Sequence, residues 1–352
     1  MITGKSLQDV ATSVRAEAER AEDFIVPSPS LRLCHTEGFG GRYYFPATGD
    51  TPSIEPTDRF HSQMSAHLNI PKKYYDRMRK ESPGLLVNNV NNWMGRGDSK
   101  RLIRTFKADE MEGSVLSEGR AFLSDRYRRL DNYDLMAKLL PVAQESGLHV
   151  RSAELTDRRL YLQMVTQQIS GEVKKGDALY AGVVVSNSEV GAGSLNIQRL
   201  IYRLVCTNGM ISGRDDGNFR RAHIGRTMDS ENLLFSDETI QATDKAFWMQ
   251  ASDALKAALD ADLFNEELNG LRELAGIEIE DPIQTVERLT NRFELADSES
   301  DNVMRHLIEG NDLSQWGVVN AITRSAEDVD SYDRAIELEV IGGKYADKPE
   351  LG

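Results

Sequence analysis

The chain has 352 residues, of which 40% are hydrophobic and 28% charged, a balance that buries a core and excludes a disordered polymer. Its 42 Lys and Arg against 56 Asp and Glu leave a net charge of −14, which as an average repels a polyanion. No run approaches the roughly 18 apolar residues of a membrane span. The first residues lack the apolar core of an export signal, and two cysteines, Cys34 and Cys206, are too few for a disulfide framework or a thiolate metal cage. A cytoplasmic chain with no membrane partner and no cofactor is expected.

In chain order, Leu7, Val10, Ala11, Val14, Ala18 and Ala21 predict an amphipathic helix over 6–22. Prolines and glycines punctuate 27–56, predicting an irregular stretch with one or two short strands. Phe60, Met64, His67 and Leu68 share a face of a helix over 57–68, and Pro71 opens a second short helix through Tyr74, Tyr75 and Met78. With Lys72, Lys73, Arg77 and Arg79 on its second element, the pair loosely fits a DNA-binding helix-turn-helix, but helical hairpins are common. Alternation then predicts strands over 101–106, 120–124, 149–153, 160–165, 177–190 and 194–206, with one helix over 133–144. From Ser236 the pattern is helical, with Ser236, Asp281-Pro282 and Asp312 as start signals. The expected fold is α+β: a mainly antiparallel β-sheet core with an N-terminal helical segment and a C-terminal helical module. The expected divisions are 1–99 (mostly helical and irregular), 100–226 (basic, β-rich) and 227–352 (acidic, helical).

Charge is also unevenly distributed along the chain. Residues 59–226 carry 27 basic and 18 acidic side chains, whereas 227–352 carry 10 basic and 29 acidic. Arginines crowd the β-rich middle: Arg126, Arg128 and Arg129 around Tyr127; Arg199 and Arg203, one strand face apart, around Tyr202; and Arg214, Arg220 and Arg221 around Phe219. Guanidinium forks bind phosphate bidentately and interleaved aromatic rings stack on unpaired bases, so these eleven residues are the candidate nucleic-acid site. The competing reading pairs the same arginines with local acids such as Asp125, Asp131, Asp215 and Asp216.

Other chemistry is sparse. The six histidines have no metal-ligand spacing, and Gly191-Ala192-Gly193-Ser194 lacks the third glycine and the following helix of a dinucleotide loop, so it reads as a hairpin turn. Cys206 needs a base to act as a nucleophile, and His223 is the conceivable one. An enzyme reading therefore rests on a polar pocket around Asn187, Ser188, Glu189, Asn208 and Cys206.

The stretch GVVVSNSEVGAGSLNIQRLIYRLVCTNGMISG at 182–213, AFLSDRYRRLDNYDL at 121–135 and QWGVVNAITRSAEDVDSYDRAIELEVIGGKYA at 315–346 resemble the phage/plasmid-like proteins grouped as domain of unknown function 932. The resemblance covers about 100–345, and its SNSEVG and CTNGM elements are the most specific. It implies a mobile element in a bacterial host cell and supplies no catalytic residues. The leading expectation is a protein that binds nucleic acid, single-stranded DNA above all, in annealing or protection during replication or recombination, and that works as a homo-oligomer. The alternatives are the enzyme above and an oligomeric structural or interaction protein assembled through its C-terminal helices.

Overall fold

The computed structural model describes residues 4–36, 41–108, 116–204, 208–214, 218–222 and 237–349. Ser6 opens helix α1 (Leu7–Arg20) by accepting the Asp9 N–H, and Val10 and Val14 form its buried face. The helix runs straight into β1 (Ala21–Pro27). The punctuated stretch holds three further short strands, β2 (Cys34–Thr36), β3 (Arg42–Tyr44) and β4 (Ile54–Pro56). Helices α2 (Asp58–His67), α3 (Lys72–Glu81) and α4 (Pro83–Met94) follow, then β5 (Lys100–Phe106) and β6 (Ser117–Ser124). The strands order as β1-β5-β6-β4, antiparallel except for the parallel β4–β6 pair. Phe60, Met64, Leu86 and Val90 of the helices pack on Ile103 and Phe122 of this sheet. This sheet joins strands from both sides of residue 99, because β1 and β4 use β5 and β6 to satisfy their backbone groups. On α3, Lys72 pairs with Asp76, Arg77 with Glu81 and Arg79 with Asp58, so the cations that suggested a helix-turn-helix are matched by nearby carboxylates.

The second sheet is the centre of the molecule. After α5 (Asn132–Glu145) come β7 (His149–Leu155), β8 (Leu160–Glu172), β9 (Ala178–Asn187), β10 (Leu195–Arg203), β11 (Asn208–Ile211) and β12 (Phe219–Arg221). The order is β11-β10-β9-β8-β7, antiparallel throughout, with β12 sharing the β11 edge of β10. Leu162, Met164, Val183, Val185, Leu195 and Ile197 face α1, α5 and α6 (Asp237–Ala257). The helical module consists of α7 (Ala261–Ala275), α8 (Pro282–Phe293), α9 (Asp297–Gly310), α10 (Gln315–Ser325) and α11 (Tyr332–Asp347). Tyr332 and Ile336 of α11 cover Tyr161, Val184 and Leu200 on the opposite face of the sheet. With both faces buried, the unbroken apolar run at 182–185 is explained, since such a strand has no solvent side to mark by alternation.

Within the module α10 is buried on nearly every side, including Trp316, Val318, Val319 and Ile322. Trp316 Nε1 donates to Asp177 at 3.0 Å, tying the module to the sheet. Asp281 caps α8 as its spacing predicts, with Pro282 just inside. For α10 the cap is Ser314, whose Oγ accepts the Gly317 N–H, whereas Asp312 accepts from the Ser314 hydroxyl. The Ser236 start signal lies outside the described residues.

One buried group carries a pH signature. Glu339 of α11 is fully buried and accepts from Gln163 Nε2 at 2.6 Å. Glu339 Oε1 and Gln163 Oε1 are both left without hydrogen-bond partners among the described residues. A proton on Glu339 lets carboxyl and carboxamide pair reciprocally through those two oxygens, and burial pushes this carboxyl up to about 8. The folded state thus holds the proton more tightly than the unfolded chain, so stability is greatest below the unfolded pKa and falls as pH rises through about 8. Glu339→Gln is expected to raise the melting temperature by several degrees at pH 9 and hardly at all at pH 5. A difference independent of pH in thermal melts would contradict this assignment.

Candidate nucleic-acid interface

The SNSEVG element at 186–191 ends β9 and enters the β9–β10 turn at 188–194, which is held by side chains from most of the molecule. Asn187 Nδ2 donates to Leu130 O at 2.7 Å and to Asn132 Oδ1 at 2.9 Å. Tyr127 donates its hydroxyl to Ser188 O at 2.8 Å, and burial raises its pKa. Glu189, 9% exposed, accepts the Asn132 N–H at 2.7 Å on one oxygen and Arg120 Nη2 at 2.9 Å on the other. It thereby caps α5, whose own N-cap residue Asp131 makes no side-chain cap. Arg104, buried between Asp23 and Asp131, donates to Glu189 O at 3.1 Å. The arginine-rich segment at 124–132 and the turn are therefore one hydrogen-bonded unit. Gly191 adopts φ +68°, and a Cβ there would lie 2.7 Å from Leu123 Cδ2, which restricts the position to glycine.

Outside this buried layer, arginines rim the turn. Arg59 of α2 donates Nε to Val190 O at 2.9 Å, Arg159 donates Nε to Ala192 O at 3.2 Å, and Arg220 Nε lies 3.5 Å from Ser194 Oγ. Burial, then the charges of Arg158 and Arg159, lower the pKa of Arg59. Arg158 and Arg159 are thus the cations that act on Arg59, and Asp157 is the carboxylate that opposes them there. Arg158 and Arg220 are exposed, while Arg59 and Arg159 are half-buried. Guanidiniums whose main-chain contacts occupy one edge keep other N–H groups for a bidentate anion.

The eleven predicted residues do not share one face. Arg220 stands on the rim. Arg221 and Phe219 alternate to the other side of β12, opposite Leu195 and Ile197, where Phe219 packs on the core. Arg126 is exposed beside the turn unit, and Tyr127 is spent inside it. Arg128 lies over the Phe247 ring at 4.4 Å, and Arg129 pairs with Asp23 at 3.3 Å. Arg199 is buried against Glu267 at 3.3 Å and Ser212 Oγ at 3.3 Å. Arg203 pairs with Asp177 at 2.5 Å, and Arg214 with Glu266 at 2.8 Å. Tyr202 is 3% exposed, and its hydroxyl accepts from Arg151. Arg199, Arg203, Tyr202 and Arg214 thus consolidate the fold: on the interior strand β10, Arg199 meets Glu267 of α7, Arg203 lies over Trp316 of α10 and Tyr202 meets Arg151 of β7, while Arg214, beyond β11, meets Glu266 of α7. Arg59, Arg158 and Arg159 were missed. Arg158-Arg159 in the β7–β8 turn was a readable signal, but only the fold brings α2 to it.

For the enzyme reading, Glu189 and Asn208 lie at opposite ends of the β9–β10 ladder, and Asn208 donates to Thr323 Oγ1 of α10. Cys206 and His223 lie outside the described residues.

A model of the domain of unknown function DUF932 matches residues 121–337, more than half of the chain. The chain belongs to the DUF932 family. Searches of curated proteins and of solved structures gave no match. The DUF932 match begins at the arginine-rich segment and spans the turn, so the rim is built by family elements except for Arg59, which α2 adds.

Removing the Glu189 carboxylate leaves Arg120, 10% exposed, with only Glu17 at 3.6 Å. Glu189→Ala is expected to cost about 3–5 kcal/mol, read as a lowered urea midpoint, since an uncompensated buried cation remains. A loss below about 1 kcal/mol would show that the turn is not the clamp described.

Proposed function

We propose that this DUF932 protein binds single-stranded DNA, as part of the replication or recombination of a mobile element such as a phage or plasmid, and that the arginine rim of the β9–β10 turn contacts the phosphates. The observation that carries this reading is the convergence of Arg59, Arg159 and Arg220, from three parts of the chain, on one five-residue stretch, with Arg158 adding its charge beside Arg59. Like charges crowded together cost free energy, and a bound polyanion relieves that cost. Arg199, Arg203 and Arg214 are matched by Glu267, Asp177 and Glu266, which supports the rim rather than those arginines as the surface offered to a partner. A single rim reaches few phosphates, so several copies along one strand would supply the affinity that one lacks.

Fluorescence anisotropy with a labelled single-stranded oligonucleotide tests the reading. With about four phosphates engaged, the logarithm of the affinity falls against the logarithm of salt with a slope near −3. Arg158→Glu with Arg220→Glu lowers affinity at least tenfold and flattens that slope, whereas Arg214→Glu, remote from the rim, leaves affinity within about twofold. No binding at low salt, or equal losses in all variants, would contradict the assignment.

A further inference from the structure

A second feature adjoins the rim. Tyr161, Ser186, Asn196 and Arg220 form one cross-strand row over β8, β9, β10 and β12, so the sheet face that ends at the rim continues inward. There it floors a cavity of about 400 Å3 between the sheet, α11 and the end of α8. The floor carries the side chains of Ser186, Asn196 and Gln198, the walls are Phe293, Ile336 and Val340, and the charged lining is mixed, with Arg159, Arg292, Arg334 and Lys344 beside Glu294, Asp333 and Glu337. Arg159 belongs both to this cavity and to the rim.

The lining has a definite chemistry. Asn196 Nδ2 reaches Ser186 Oγ only at 3.4 Å, and the half-buried Gln198 carboxamide has no hydrogen-bond partner among the described residues. Carboxamides present a donor and an acceptor side by side, the complement of a nucleobase edge, and Phe293 with the aliphatic wall offers a surface for a ring. The volume falls within the range of small-molecule pockets and exceeds what one base needs. Arg159, shared with the rim, suits the phosphate that accompanies each base.

We infer that this cavity receives one unstacked base of the strand whose phosphates lie on the rim. The inference rests on the reading under Proposed function and adds a base-contacting subsite to it. The rim holds the backbone through Arg159 and Arg220, and the adjoining nucleotide turns its base onto Asn196 and Gln198.

The test compares a labelled oligothymidylate with an abasic strand of the same length and charge. The full-length wild type is expected to bind the base-bearing strand about tenfold more tightly, the gain typical of one sequestered base. Gln198→Ala and Asn196→Ala are expected to remove that preference while leaving abasic binding unchanged, with thermal melts checking that each variant folds. Equal binding of both strands by the wild type overturns the subsite and leaves the rim standing, a comparison that needs no variant. A preference that survives in both folded variants also overturns it. Failure to bind either strand overturns the rim and the subsite together.

Discussion

The clamp on the β9–β10 turn is the constraint on which the rest of the structure depends. Among the described residues, Glu189 is the carboxylate that both caps α5 and meets Arg120, and its carbonyl receives Arg104. Those arginines stand on β5 and β6, so one glutamate joins the N-terminal sheet, α5 and the central sheet. The partners are largely desolvated, which makes each expensive to leave unpaired and fixes their geometry. The rim inherits that rigidity. Arg59 and Arg159 donate to main-chain carbonyls of the same turn, so their remaining N–H groups are held in place before any ligand arrives.

Charge is distributed to the same end. Much of the positive excess of the middle segment and the acidic excess of the C-terminal third meet in one set of contacts. Arg199 meets Glu267, Arg214 meets Glu266 and Asp347, and Lys174 meets Asp312. The acidic module thus docks on the sheet by complementing it, with Trp316 donating to Asp177 at the centre. Arginines left at the β9–β10 end are beyond reach of those acids, and that remainder of positive charge is the basis for assigning a polyanion to this surface.

The sequence made the secondary structure legible where one period dominated. The strands over 101–106 and 149–153 and the helix over 133–144 match β5, β7 and α5 closely, the strand over 160–165 matches the first part of β8, and the hairpin reading of Gly191-Ala192-Gly193-Ser194 matches the turn. Helix α4 escaped notice because its apolar positions interleave with four asparagines, and β1 because it continues the charged pattern of α1 without a breaking residue. The site was only partly legible. Arg220 was found, yet Arg199 and Arg203 looked equivalent to it, since a strand pattern with both faces buried cannot tell a partner-facing arginine from one matched by a distant acid. Glu267 is far from Arg199 in sequence, and nothing local announces the pair. Arg59 stood outside the region under suspicion for the same reason.

Hydrogen–deuterium exchange with and without a saturating single-stranded oligonucleotide addresses the central claim most directly. The account predicts slowed exchange in peptides covering 156–161, 190–198 and 218–222, with the C-terminal helices α7 and α9 unchanged. Protection centred on those helices, or none near the β9–β10 turn while the oligonucleotide is bound, would contradict it.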